Sequence, residues 1–150
     1  MSGPELTEPQ LEAWGERIGA SVAAPVFVAL RGDLGAGKSV LARAIARGAG
    51  VTAAMPSPTF NLVFRYPGRD GVEVVHMDLY RLEKSEDVWE LGWRELGAPN
   101  EIVLVEWPER AESLLPADRW EITLGITAPD RRSVDTMPFG SVPPLPELPA

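Results

Sequence analysis

Gly32-Asp33-Leu34-Gly35-Ala36-Gly37-Lys38-Ser39 decides the reading of this 150-residue chain. The spacing G-x-x-x-x-G-K-S is that of a phosphate-binding loop. An apolar run, Val26-Phe27-Val28-Ala29-Leu30, leads into it. A helical pattern leaves it, with Leu41, Ala44, Ile45 and Gly48 at spacings of three and four. Strand, glycine-rich turn and helix is the order such a loop needs. The glycines let the backbone curl until successive N–H groups face one anion. The helix that follows adds unpaired N–H groups and the positive end of its dipole. Lys38 then reaches the β- and γ-phosphates, and the Ser39 hydroxyl is placed to bind Mg²⁺.

Further along, Ile102-Val103-Leu104-Val105 runs into Glu106. A continuous apolar run suits a parallel strand buried on both faces. A carboxylate at its end can hold the Mg²⁺ shell or polarise an attacking water. Val74-Val75-His76-Met77-Asp78 offers a second acidic strand end. Alternation puts His76 and Asp78 on one face. A lone histidine reads first as a hydrogen-bonded structural residue.

The remaining chain supplies the surrounding elements. Thr7 and Gln10 make a capping box, with Leu6 and Leu11 as its hydrophobic staple. Leu11, Trp14, Ile18 and Val22 then mark one helical face, and Trp14 reads as core. Met55-Pro56-Ser57-Pro58-Thr59-Phe60 is held extended by its prolines. It reads equally as a γ-phosphate-sensing switch and as a connector. Asn61 to Tyr66 and Val72 to Leu79 form a hairpin pattern. Ser85 caps a helix expected to run to about Leu96, with Trp89, Trp93 and Leu96 facing the core or a partner. Strands are expected over 120–126 and 133–136.

The fold class that follows is α/β: a P-loop NTPase-like three-layer sandwich around a mixed, mainly parallel sheet. One domain is expected over residues 1–136. From Met137 onward five prolines fall in fourteen residues, so 137–150 is expected to be an extended or disordered tail.

Composition excludes several alternatives. The net charge is −8, and residues 83–121 hold eleven acids against four bases. Such a surface is a poor binder of DNA or RNA phosphates, so nucleic acid would be reached only through a partner. There is no cysteine, hence no disulfide and no thiolate metal site. No secretory signal or membrane-spanning run is visible, and a cytoplasmic protein is expected. No Asn-Lys-x-Asp motif is present to read guanine, which favours ATP. A small-molecule kinase would need an arginine-rich lid, and none is visible. That kinase, and an ATP-dependent interaction module with little hydrolysis, stand as alternative readings.

Four blocks occur in order: Gly32 to Ser39, Ser57-Pro58-Thr59-Phe60, His76-Met77-Asp78-Leu79-Tyr80-Arg81 and Val105-Glu106-Trp107-Pro108-Glu109. Together they resemble the TsaE (YjeE) family of bacterial tRNA-modification ATPases over residues 7–126. The resemblance implies an Mg²⁺-dependent ATPase, weak alone, that works with TsaD-like and TsaB-like proteins. Their product would be N6-threonylcarbamoyladenosine in tRNA, which this chain would touch only indirectly. Nucleotide would be bound by Gly32, Asp33, Leu34, Gly35, Ala36, Gly37, Lys38, Ser39, Val40, Thr59 and Trp107. Ser39, Asp78 and Glu106 would hold the metal, and Lys38, Glu106 and Asp78 would carry the chemistry. Glu106 is favoured as the water-orienting group because it ends the buried central strand. Ser39-Val40 stands where many members carry two threonines, and serine keeps the hydroxyl.

Overall fold

The computed structural model describes residues 3–55 and 62–149. In chain order it contains β1 (Glu5–Leu6), α1 (Glu8–Ser21), β2 (Val26–Arg31) and α2 (Lys38–Gly48). There follow β3 (Val63–Pro67), β4 (Glu73–Asp78), β5 (Glu101–Glu106), β6 (Arg119–Ala128) and β7 (Arg131–Phe139). Helix α1 begins where its sequence provides a cap. Gln10 N–H donates to Thr7 Oγ1 at 3.3 Å, and Thr7 N–H donates to Gln10 Oε1 at 2.8 Å. Both halves of the capping box are therefore made, and two donors at the helix start are satisfied.

The seven strands form one sheet in the order β1-β7-β6-β2-β5-β4-β3. The central four, β6, β2, β5 and β4, run parallel. Antiparallel pairing with β7, β1 and β3 closes the two edges. The fold is thus α/β with a mixed sheet whose parallel strands lie at the centre. Strand β2 sits between β5 and β6, so connections leave it in both directions. Ligands of open α/β sheets bind outside the carboxyl ends of the strands at such a point. Leu30, Glu106 and Asp78 are register partners across β2, β5 and β4. The glycine-rich loop and both strand-end acids therefore meet at one edge.

Each sheet face has its own core. Val28, Leu30, Ile102 and Leu104 pack beneath α1 and α2, against Leu11, Trp14, Ile18, Leu41 and Ile45. Phe27, Ala29, Val103 and Val105 face the other way, toward Val88, Trp93 and Ala111. That second layer consists of 3₁₀ segments, Ser85–Leu91, Trp93–Glu95 and Pro108–Leu114. The single helix expected from Ser85 to about Leu96 is replaced by two of them. Gly92, at φ 80°, breaks the turn between them. Trp93 turns inward, its ring centroid 5.9 Å from that of Phe27 and its Nε1–H donating to Leu114 O at 3.0 Å. Trp89 is left 44 % exposed, so the two tryptophans do not share a face.

The last strand, expected to end near Thr136, continues to Phe139 because β6 offers partners as far as Arg119. No helix among the described residues is long and apolar enough to cross a membrane.

Candidate phosphate-loop site

The loop from β2 to α2 is shaped by backbone that only glycine adopts freely. Gly32 has φ 145°, and a Cβ there would lie 2.5 Å from the carbonyl oxygen of Leu124 on β6. Gly37, at φ 105°, is the N-cap of α2, and no side chain caps that helix. The first N–H groups of an α-helix have no partner within it. Those of α2 open toward the loop and could hold an anion.

Lys38 is 4 % exposed. Its Nζ donates to the carbonyl oxygens of Gly32 at 2.6 Å and Asp33 at 2.9 Å, and lies 4.2 Å from the centroid of the Trp107 ring. Burial holds this ammonium below the ordinary lysine range. Glu106, Glu109, Asp78 and Asp33 pull the other way without overcoming it. Trp107 follows β5 in a left-handed conformation, φ 57°, ψ 50°. A bulky side chain seldom takes that backbone outside a functional or over-determined site. It aims the ring across Lys38 and onto Tyr80, whose centroid is 4.9 Å away.

Glu106 ends β5 and is buried. Ser39 Oγ donates to its Oε1 at 2.8 Å, and His76 Nε2 lies 2.5 Å from its Oε2. Asp78 stands opposite Glu106 in the β4–β5 ladder. Its Oδ1 accepts from Tyr80 N–H at 3.0 Å. Burial raises the Asp78 pKa and the Glu106 charge adds to that. The Tyr80 amide, His76 and Lys38 oppose it only in part.

Leu34, Gly35, Gly37, Lys38, Ser39, Val40, Asp78, Tyr80, Glu106 and Trp107 line a cleft of about 250 Å³. Gly32 and Asp33 act through their carbonyls, and Ala36 is buried beneath the loop. Thr59, like Ser57, lies outside the described residues. A second cleft of about 310 Å³ borders the loop at Gly35, Gly37 and Val40, walled by Leu11 and Arg132. Arg132 Nη2 donates to Gly35 O at 3.3 Å. Sequence alone marks neither His76 nor Arg132 as a site residue. His76 carried a usable signal, because it alternates onto the face of Asp78. Arg132 carried none.

Among the described residues no three His, Cys, Asp or Glu side chains cluster into a metal cage. A hydroxyl with one or two carboxylates is instead the set Mg²⁺ uses when phosphate and water complete its octahedron. Ser39, Glu106 and Asp78 are such a set, and the first two already touch. The donors fit Mg²⁺ with a nucleotide phosphate.

A mixed sheet with a parallel centre, a glycine-rich loop at its switch point and a strand-end acid bonded to the loop serine define an α/β protein of the P-loop type. Comparison narrows the class. The family model described as threonylcarbamoyl adenosine biosynthesis protein TsaE matches residues 6–134. A relative from Treponema pallidum, described as tRNA threonylcarbamoyladenosine biosynthesis protein TsaE, is 35 % identical over 121 residues, covering 81 % of this chain and 88 % of its own. One of the same description from Bacillus subtilis is 39 % identical, covering 75 % and 69 %. The crystal structure of Bacillus subtilis YdiB superposes with a TM-score of 0.66 at 25 % identity, covering 93 % of this chain and 87 % of that one. The chain belongs to the TsaE family.

Proposed function

We propose that this protein is an Mg²⁺-dependent ATPase of tRNA threonylcarbamoyladenosine biosynthesis, acting in the cytoplasm on a complex of TsaD-like and TsaB-like proteins to support its turnover. One observation carries the reading. Ser39, Glu106 and His76 form a single bonded chain beside Lys38, at the start of α2. The pathway named for the matched relatives supports extending it to this chain. Its acidic surface favours contact with partner proteins over direct contact with tRNA.

The chemistry follows from charge. Lys38 exchanges the carbonyl oxygens of its own loop for phosphate oxygens, and the N–H groups at the start of α2 hold the rest of the anion. Ser39, with Glu106 and Asp78, would hold Mg²⁺, which would supply charge neutralisation to the phosphates when bound. Glu106 orients the water. The water oxygen bonds to the γ-phosphorus, the bond to the bridging oxygen breaks, ADP leaves with that electron pair, and the water's proton passes to an oxygen of the released phosphate. His76 and Ser39 keep the carboxylate in place, so little reorganisation accompanies reaction. The second cleft is assigned to the nucleoside and Trp107 to the rim of the site, and Thr59 is proposed to contact the nucleotide.

ATP turnover by the chain alone, and with purified TsaD-like and TsaB-like proteins, tests this directly. Slow hydrolysis that rises when the partners are added, and that Lys38→Ala abolishes, is expected. A rate indifferent to the partners contradicts the regulatory role. Label transferred from ATP to a metabolite would instead favour a kinase.

A further inference from the structure

Beyond β7 the chain reads Ser141-Val142-Pro143-Pro144-Leu145-Pro146-Glu147-Leu148-Pro149. Its exposure repeats every three residues. Ser141, Pro144 and Glu147 are exposed, and the two residues after each are half-buried. An α-helix would repeat every 3.6 residues and a strand every two. A period of three belongs to polyproline II, which rises about 3.1 Å per residue and suits the fixed φ of proline. Leu145 and Leu148 are one such turn apart, and both pack against the core under α1.

The protein meets this segment with two indoles. Trp120 Nε1–H donates to Pro143 O at 2.7 Å, and Trp14 Nε1–H donates to Pro146 O at 3.0 Å. The two acceptors are again three residues apart, about 9 Å along one ridge of a polyproline II helix. Arg17 Nη1 reaches Glu147 O at 3.5 Å. Ser141 N–H is tied to Asp118 Oδ1 at 2.9 Å. Among the described residues no strand pairing extends past Phe139. Aromatic N–H donors spaced to one turn, over an apolar floor that takes every third side chain, are how proline-rich peptides are read.

We propose that Trp14, Trp120 and Arg17 form a polyproline-reading groove and that residues 141–149 are its ligand in cis. The same groove takes a proline-rich peptide with leucine at every third position in trans once the tail is released. The tail is then a docked ligand joined by a tether, and what it covers is a binding surface.

The indole N–H signals of the full-length protein test this. Solvent exchange at Trp14 and Trp120 should be slow in the native chain, where both indoles are hydrogen-bonded to the tail. In full-length Leu145→Asp/Leu148→Asp both exchange at least tenfold faster. Trp93, whose Nε1–H is bonded to Leu114 O, stays protected and reports an intact fold. A synthetic peptide of residues 141–149 restores both signals saturably, and the same peptide with both leucines replaced by aspartate does not. Continued protection of Trp14 and Trp120 in the variant, or failure of the native peptide to restore them, overturns the proposal. If Trp93 also loses protection, full-length Leu148→Ser is measured in its place. It should expose Trp14 more than Trp120, and equal loss or no loss overturns the proposal.

Discussion

His76 Nε2 lies 2.5 Å from Glu106 Oε2, and both residues are 2 % exposed. They stand on adjacent parallel strands, His76 opposite Leu104 and Glu106 opposite Asp78. The contact is therefore diagonal, reaching two residues along β5 from the direct ladder partner of His76. It takes one carboxylate oxygen, and Ser39 takes the other. A buried carboxylate bonded at both oxygens is fixed in orientation, which is what a water-positioning group needs.

Glu106→Gln keeps the shape and removes the charge. ATP turnover should fall about 10²–10³-fold, the scale of losing one oriented catalytic group. Nucleotide affinity, measured by calorimetry, should change far less. Asp78→Ala should cost less turnover than Glu106→Ala. Full hydrolysis by Glu106→Ala with none by Asp78→Ala would exchange the two roles.

His76→Phe fills the same space and removes the nitrogen. Glu106 would keep only its bond to Ser39, a loss of about 1–3 kcal/mol for a buried group left short of a partner. The urea midpoint reads that loss. His76→Gln restores an N–H donor. It should recover part of kcat with KM little changed, which a purely structural role would not produce.

What could be read from sequence divides by distance along the chain. The loop, Asp78 and Glu106 announce themselves locally, by spacing and by position at a strand end. His76 gains its role only across thirty residues, when β4 is laid beside β5. Arg132 reaches Gly35 from the start of β7, and nothing near either residue signals the other. Strand β1 has two residues and shows no period at all. Around Trp89 and Trp93 the spacing imitates an α-helix. The left-handed Gly92 overrides it, and only one of the two rings is buried. Proline content points to an extended or disordered tail, but its partner Trp14 lies 132 positions upstream of Pro146.

Burial keeps the Lys38 ammonium below the usual lysine value of about 10.4. A bound phosphate would raise it again, so nucleotide binding at alkaline pH would take up a proton. Affinity should then be constant below the free-state pKa and weaken, by up to about tenfold per pH unit, as pH rises from that value to the bound-state one. Calorimetric affinities for an ATP analogue, measured from neutral pH to above the ordinary lysine value, check this. A flat profile would show that Lys38 does not meet the phosphates.

Glu121 on β6 offers a test outside the site. Its Oε1 accepts from Arg31 Nε at 2.8 Å, and its Oε2 accepts from Arg119 Nε at 2.8 Å. Burial alone would push this carboxyl up. The hydrogen bonds from Arg31 and Arg119, with their charges, outweigh it and hold the pKa below the ordinary glutamate value. The unfolded chain, titrating near 4.3, then takes up its proton at higher pH than the folded one. The stability Glu121 contributes is fully present above that unfolded value and is lost as pH falls through the folded one. Glu121→Gln should lower stability at pH 7 by about 1.5 kcal/mol, the lower end for hydrogen bonds to charged groups, because Arg31 retains Glu112 at 2.7 Å. Its urea midpoint should also fall less steeply than that of the native chain below about pH 5, the two curves converging in acid. Parallel curves would mean that Glu121 titrates alike in both states and that the arginine pair does not hold its charge.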